Sequence, residues 1–326
     1  MNHGVTAVIP AHNAREYIRE ALDSVAAQEL PAHHVIVVDD GSTDDTAQQV
    51  RDWRAERGLG VQLIVQGNAG PAAARNVGIR LARSEFVALL DADDLWLPHH
   101  LDTLLPSFDQ APEAVLSFGD QQEFGDEANT DTTFLADKAV HQLDYDELPG
   151  GGRLLKGSVY MTLAGGSYIP TSGMVFRRST AERIGLFDVS PALMAREDRE
   201  FLLRMSRAGG FVYHPAVVAR KRVHQHNITH PRHSLSLNET GLEVALKMTR
   251  SAATLRLSPP EVERTRQGAR AHAKSLLYLA SLQGPRTYTS ACVRLVRRGV
   301  VRPVLNPKHM LRSLRHARLP AREAAS

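Results

Sequence analysis

The sequence predicts an α/β fold, a mostly parallel sheet flanked by helices and followed by a C-terminal helical region. Three observations carry this. Short apolar runs alternate with helical patterns of about 10–15 residues, the mark of βαβ units. Two of the runs close at once on acidic residues, at the strand ends where open α/β sheets bind ligands. The charge also changes sign along the chain. Residues 1–239 hold 22 Lys+Arg against 32 Asp+Glu, and residues 240–326 hold 17 against 4, within a total of +3. That shift marks a boundary near 235–240, dividing the chain into 1–235 and a basic 236–326.

Val5–Ile9 reads as a first strand ended by Pro10, and Tyr17, Ile18, Ala21, Leu22 and Val25 form a helical stripe after it. Val35–Val38 is a second strand closing on Asp39-Asp40-Gly41-Ser42-Thr43. Ser42 or Thr43 can cap a helix over 44–57 that Gly58 ends. Val61–Val65 is the third strand, and Asn68-Ala69-Gly70-Pro71 opens a helix to about Arg83. Phe86-Val87-Ala88-Leu89-Leu90 is the fourth, followed directly by Asp91-Ala92-Asp93-Asp94. A strand buried on both faces of a parallel sheet reads as such a continuous run.

Beyond 98 the expected elements are a helix near 99–110, a strand near 114–124 and a long surface insertion over 125–166, rich in Gly, Asp and Thr. A returning strand at Ser172–Phe176, a short helix from Thr180, a helix over 196–208 and a strand region at Phe211–Val218 follow. Past 233 the pattern is helical with proline breaks.

Composition narrows the function classes. Cys292 is the single cysteine, which excludes an intrachain disulfide and fits a reducing compartment. No segment approaches 18 consecutive apolar residues, and the start lacks a signal-peptide pattern, so the expected location is cytoplasmic. No glycine pattern matches GxGxxG or a P-loop. The arginines of the tail come without a nucleic-acid-binding module or interleaved aromatics, which argues against nucleic acid as a partner.

Five segments carry chemistry. Three carboxylates within 91–94 repel one another, and a hard divalent cation such as Mg²⁺ or Mn²⁺ would relieve that; a solvated turn capping the next helix is the competing explanation. Asp39-Asp40 lies on the same sheet edge, as a ligand acceptor or as ordinary turn chemistry. Gly70-Pro71-Ala72-Ala73-Ala74-Arg75-Asn76 lets a ligand or backbone approach closely, and Arg75 offers a forked donor for phosphate. Asp198 shares a helix face with Phe201, Leu202 and Met205, either complementing the helix dipole or aimed into a cavity. Arg220 to His230 holds His224, His226 and His230 at a spacing that matches no zinc signature, so a basic solvated loop stands beside a metal or diphosphate contact.

Taken in order, the segments Val8-Ile9-Pro10-Ala11-His12-Asn13, Val37-Val38-Asp39-Asp40-Gly41-Ser42-Thr43-Asp44, Ala74-Arg75-Asn76, Leu90-Asp91-Ala92-Asp93-Asp94, Glu197-Asp198 and Arg222-Val223-His224 resemble the family 2 glycosyltransferases of GT-A fold. The resemblance spans about residues 4–230. It implies an inverting, non-processive enzyme moving one sugar from a nucleoside diphosphate sugar, foremost a UDP-sugar, to an acceptor hydroxyl on a glycan or lipid-linked molecule, in polysaccharide, glycolipid or glycoconjugate biosynthesis. It implies nucleotide-sugar binding over about 1–98 and acceptor binding and catalysis over about 99–235. It also implies that Asp40 reads the nucleotide base in a pocket lined by Pro10, Ala11 and Glu16, with His12, Asn13, Arg75 and Glu197 among the donor-binding residues. Asp91, Asp93 and Asp94 match the DxD-type motif. Asp93 is the expected ligand of Mn²⁺ or Mg²⁺, His224 stands near the metal or diphosphate, and Asp198 matches the catalytic base. One departure is His12, where relatives usually place a tyrosine beneath the base.

Two other functions fit some of these residues. A non-catalytic nucleotide-sugar binder would not need an inward acid at 198, and a nucleotidyltransferase usually shows a Gly-rich loop where this chain has Pro10-Ala11-His12-Asn13. No Gln-x-x-Arg-Trp motif of processive synthases is present. In the tail, Arg294, Arg297, Arg298, Arg302, Lys308, Arg312, Arg315 and Arg318 punctuate Val, Leu and Met. Such helices contact an anionic membrane face peripherally, or pack on protein, including in an oligomer, with a solvated cationic side.

Overall fold

The structure is a computed structural model that describes residues 4–57, 60–125, 127–166, 169–225, 227, 233–305 and 307–316, without the side chains of 302, 305, 307, 315 and 316. Gly58, His226, His230 and Arg318, and the side chains of Arg302 and Arg315, therefore lie outside the described residues. The chain divides into two compact units, Met1–Gln225 and His226–Ser326. The charge shift alone put the break some ten residues later.

The first unit is built on one mixed sheet. Its first half alternates strands and helices: β1 (Val5–Ala11), α1 (Ile18–Ala26), β2 (His34–Asp40), α2 (Thr46–Arg57), β3 (Val61–Gln66), α3 (Pro71–Leu81) and β4 (Phe86–Leu89). β1 pairs in parallel with β2 and β4, and β2 with β3. Both faces of this half are covered. Val37 joins the larger core with Ile9, Ile18, Leu22 and Phe86, while Ile36 and Val38 pack on Ala74 on the other side. That double burial is why these strands read as unbroken apolar runs. Gly78 lets α3 lie close on β1, since a Cβ there would stand 2.3 Å from Val8 Cγ1.

The second half adds β5 (Leu95–Trp96), α4 (His100–Leu104), α5 (Ser107–Gln110), β6 (Ala114–Phe124), β7 (Tyr145–Glu147), β8 (Arg153–Leu155), α6 (Val159–Ala164), β9 (Met174–Arg177), α7 (Arg178–Ile184), α8 (Glu197–Met205) and β10 (Gly210–Arg222). The strand order is β3-β2-β1-β4-β9-β6-β10-β8-β7, with β5 on β10. β9 runs antiparallel to both β4 and β6, and β6 is parallel to β10. The carboxyl ends of β1, β2, β4 and β10 therefore share one edge.

Two expectations need correction. The helix expected over 99–110 is two short helices, α4 and α5, with Pro106 between them lacking an N–H to continue the first. The 125–166 stretch is not a bare surface insertion. β8 and β7 extend the sheet beyond β10, α6 packs on α8, and Leu135, Val140, Leu155, Tyr160 and Leu163 are buried.

The second unit is helical: α9 (Ser234–Arg250), α10 (Pro259–Leu282), α11 (Pro285–Arg297) and α12 (Pro307–His316). Three of the prolines read as breaks are helix starts, where the missing N–H is no loss. Ser258 and Glu261 form a capping box at α10. Leu242, Ala273, Leu276, Leu277, Tyr288, Ala291 and Leu295 make its own core. Arg294 and Arg298, expected on a free cationic face, instead pair with Glu239 of α9 at 3.0 and 3.1 Å.

Candidate active site

The shared sheet edge collects most of the singled-out residues. At the end of β1, Pro10 and Ala11 are buried and the chain turns outward through His12 and Asn13. Asn13 adopts a left-handed conformation (φ 50°), and its side-chain oxygen accepts from the Thr43 N–H at 2.8 Å. His12 Nδ1 donates to the Asp40 carbonyl at 2.9 Å, and its other ring nitrogen is 3.3 Å from Asn68 Nδ2. The exposed imidazole is thus held at both ring nitrogens, the second also lying 3.2 Å from Asn13 Nδ2. Glu16 is exposed, and among the described residues no hydrogen bond or ion pair ties it to the others.

Asp40 does not present a free carboxylate to a nucleotide base. It is 3% exposed, and its oxygens already accept from Gln66 Nε2 (2.7 Å), Ala69 N–H (2.9 Å) and Gly70 N–H (2.7 Å). It clamps the loop that launches α3. Gly41 beside it holds φ +71°, and a Cβ there would lie 2.6 Å from the Asn68 nitrogen, so the turn demands glycine. Asp39 is likewise spent on the turn, accepting from the Ser42 N–H at 3.0 Å.

The acidic turn after β4 separates into three roles. Asp94 is buried, and accepts from Ser172 Oγ (2.6 Å), Gln121 Nε2 (3.2 Å) and the Arg222 N–H (3.0 Å). Burial and the neighbouring Asp93 and Asp91 hold its carboxyl well above the usual carboxylate range. Ser172 Oγ also accepts from the Asp91 N–H at 3.1 Å, so one hydroxyl pins both ends of the turn. Asp93 remains partly exposed and faces His224, with Oδ2 and Nε2 3.1 Å apart. Burial and the Asp91 charge push the Asp93 carboxyl up, against the opposing hydrogen bond from His224.

Asp91 accepts from Arg75 Nη2 at 2.8 Å, and Arg75 Nη1 donates to Glu197 Oε1 at the same distance. The fork read as a phosphate donor holds two carboxylates in this structure, one at each terminal nitrogen. Arg75 is 5% exposed; burial alone would lower its pKa, yet Asp91 and Glu197 keep it above the ordinary value. Among the described residues, Arg75 Nε and Glu197 Oε2 are buried without a hydrogen-bond partner.

Next to Glu197 stands Asp198, in the first turn of the expected helix. α8 buries Glu197, Arg199, Glu200, Phe201, Leu202, Leu203 and Met205, while Asp198 and, in the last turn, Arg204 are only partly buried. Burial of most of its surroundings and the Glu197 charge push the Asp198 carboxyl up to about 6. Arg75, the Arg199 N–H (2.6 Å) and Arg196 oppose this. A carboxylate with raised proton affinity and solvent access is suited to take a proton from an incoming hydroxyl.

Three residues of the site were not singled out from sequence: Tyr17, Gln121 and Ser172. Tyr17 stacks on His224 (centroids 5.2 Å, planes 21° apart) and carries the Arg222 guanidinium 4.8 Å over its ring. Its place at the head of the helical stripe over 17–25 disguised it as core, whereas it is the N-cap of α1. Ser172 and Gln121 have no local signal, since they matter through their reach to the distant 91–94 turn, Gln121 to Asp94 and Ser172 to both Asp94 and Asp91.

Among the described residues no cluster of three or more His, Cys, Asp or Glu side chains is arranged to hold a metal ion. The donor set Asp93 plus His224 nevertheless fits a divalent ion of the Mg²⁺ or Mn²⁺ kind. Such ions take one or two protein ligands and complete their shell with substrate phosphates, and Asp93 Oδ2 and His224 Nε2 stand 3.1 Å apart at the partly exposed edge of the turn.

Comparison with known proteins points the same way. Residues 6–156 match the family described as Glycosyl transferase family 2. An uncharacterised glycosyltransferase of Nostoc sp. is 27% identical over 231 residues, 70% of this chain and 64% of that protein. The poly(ribitol-phosphate) beta-N-acetylglucosaminyltransferase TarS of Staphylococcus aureus is 40% identical over 89 residues, 27% of this chain and 16% of that protein. The chain thus spans less than two thirds of either relative. The structure of S. aureus TarS 1–349 in complex with UDP-GlcNAc superposes with a TM-score of 0.64 at 17% identity, covering 96% of this chain and 89% of that one. The mannosyltransferase PcManGT from Pyrobaculum calidifontis, in complex with GDP-Man and Mn²⁺, superposes with a TM-score of 0.62 at 19% identity, covering 95% and 86%. These superpositions show a shared GT-A architecture.

Proposed function

We infer, for a chain whose residues 6–156 match the glycosyl transferase family 2 model, that it moves a single sugar from a nucleoside diphosphate sugar to an acceptor hydroxyl with inversion at the anomeric carbon. The observation that carries this is the Arg75 bridge. It links Asp91 of the acidic turn to Glu197, the residue before Asp198, through two 2.8 Å contacts, and so sets a raised-pKa carboxylate beside the diphosphate end of the site.

The nucleotide lies along the ends of β1 and β2, with its base against His12 and the walls formed by Pro10, Ala11 and Asn13. UDP-sugars are the first donors to test, since a TarS structure holds UDP-GlcNAc; GDP-Man in PcManGT makes GDP-sugars the second. Asp93 and His224 would hold a Mg²⁺ or Mn²⁺ ion, which would supply neutralising charge for the diphosphate leaving group. Asp91, fixed by Arg75, faces the sugar. Asp198 accepts the proton of the acceptor hydroxyl as its oxygen attacks the anomeric carbon from the face opposite the nucleotide. One displacement inverts that carbon.

Base assistance of this type contributes about 10²–10⁴ in rate. Asp198→Asn should therefore lose turnover by about that factor while nucleotide-sugar binding, followed by thermal shift with Mn²⁺ present, stays near wild type. A folded Asp198→Asn protein that turns over normally removes Asp198 from the role. Donor binding without any transfer in the wild type, across a panel of hydroxyl acceptors, would favour a binding protein over an enzyme.

A further inference from the structure

The second unit carries a surface that the transfer chemistry does not use. α12 is amphipathic with its faces reversed for a helix in water. It buries Ser313 at 1% and exposes Met310, Leu311 and Leu314 at 50%, 55% and 51%. Spacings of three and four place these apolar residues on one face. Tyr278 of α10 lies beside them at 44% exposure, with the Arg312 guanidinium 4.6 Å over its ring and the His309 ring 6.4 Å away. α11 adds exposed Val293 and Val296, and a shallow groove along it is lined by Arg286, Thr289, Ser290, Val293 and Arg297. Apolar residues scattered singly on a surface need no explanation. Here eight of the thirteen exposed large apolar side chains among the described residues fall between Tyr278 and Leu314, so the exposure is concentrated.

We propose that this face of α11 and α12 docks on an anionic lipid surface. The charge pattern selects that occupant. No acidic residue occurs anywhere between Arg264 and Arg322, so nothing on this stretch repels lipid phosphates. Arg286 and Arg297 are exposed and line the α11 groove with Val293, and Lys308 is exposed near the start of α12. A helix of this kind lies in the membrane plane with its apolar face at the headgroup boundary and its cations among the phosphates. The hydroxyls of Thr289 and Ser290 beside Arg286 suit the same phosphates. A second copy of the chain is the weaker fit, because a two-fold contact through this face would set cations against cations. The inference stands on the second unit alone and needs no particular sugar donor.

Flotation of the full chain with vesicles of phosphatidylcholine, alone or mixed with phosphatidylglycerol, tests it. The expected result is binding to the mixed vesicles only, weakening as salt rises. Leu311→Glu combined with Leu314→Glu should weaken binding by at least about tenfold. Arg286→Glu combined with Arg297→Glu should do the same by the electrostatic route. Both pairs should keep the wild-type melting temperature, since all four side chains are exposed. Absent binding, equal binding to neutral vesicles, or binding that survives both double substitutions overturns the proposal. A concentration-dependent dimer in light scattering that the Leu311/Leu314 pair abolishes assigns the face to a second copy and overturns it as well.

Discussion

Arg75 holds two carboxylates apart and in place, and Arg75 Nε and Glu197 Oε2 in that bridge have no hydrogen-bond partner among the described residues. Removing its charge leaves Glu197 buried and uncompensated, a loss that typically costs about 3–5 kcal/mol. Arg75→Met should show that loss in urea unfolding. Arg75→Lys, which keeps the charge without the fork, should lose less stability. A purely structural role would stop there. Because Arg75 also lowers the proton affinity of Asp198, Arg75→Lys should move the acid limb of kcat/KM only slightly, whereas any folded fraction of Arg75→Met should show that limb shifted above pH 6. Asp198 itself makes a second prediction of opposite sign in stability. Its carboxyl titrates at about 6 in the fold against 3.8 unperturbed, so the fold prefers it protonated. The resulting cost is present above pH 6 and vanishes as pH falls below the unperturbed value. Asp198→Asn should therefore gain about 1–2 kcal/mol at pH 8, allowing for partial solvent screening. Melting curves at pH 8 and pH 4 check this, and a variant less stable than wild type at pH 8 contradicts it. At this scale the identities of the acids are legible in the sequence, because clustered carboxylates lack a folding rationale. Their environments are not: that Asp40 is saturated and Asp198 only partly buried depends on residues 26 to 30 positions away for the one, and on how α8 packs for the other.

At the scale of elements, the loop between β3 and α3 owes its shape to Asp40. Three donors converge on its carboxylate, including two consecutive backbone N–H groups just ahead of α3. Asp40→Asn replaces one accepting oxygen by a donor facing donors, and should cost about 1–3 kcal/mol of stability. If Asp40 acts as this clamp, the variant weakens UDP and GDP binding by similar factors. A selective change in the ratio of UDP to GDP affinity would instead make it a base reader. The turn after β4 has an analogous pin. Ser172→Ala removes a hydroxyl that donates to Asp94 and accepts from Asp91, and should raise the donor KM through a looser Asp91–Asp94 turn, with a stability cost of about 1–3 kcal/mol; unchanged KM would mean the turn holds without it. The strands of the first half were legible because burial on both sheet faces writes itself as continuous apolar runs. The 125–166 stretch was not, because β7 and β8 have three residues each and β7 is exposed throughout. Such short edge strands have no room for an alternating pattern, and their glycines and aspartates read as loop. Pro106 similarly split a helix whose apolar spacing alone looked continuous.

For the whole molecule, the two units differ in how they are stabilised as well as in charge. The larger core draws only on residues up to Ala219, and the helical core only on residues from Leu235 onward. The division at Gln225/His226 was displaced in the sequence because residues 226–239 carry one arginine against one glutamate, so the charge shift appears only after them. Separate cores make a direct prediction. A chain ending at Gln225 keeps every residue of the candidate site, from Pro10 to His224, together with the whole sheet. At about 225 residues it also exceeds the size at which one hydrophobic core supports a fold. It should fold cooperatively and bind nucleoside diphosphates with the affinity of the full chain, while binding to anionic vesicles disappears. Calorimetry and vesicle flotation on the shortened and full chains measure both properties. If the shortened chain folds but no longer binds nucleotide, the site depends on the second unit; if it still floats with anionic vesicles, the lipid contact lies elsewhere than on α11 and α12.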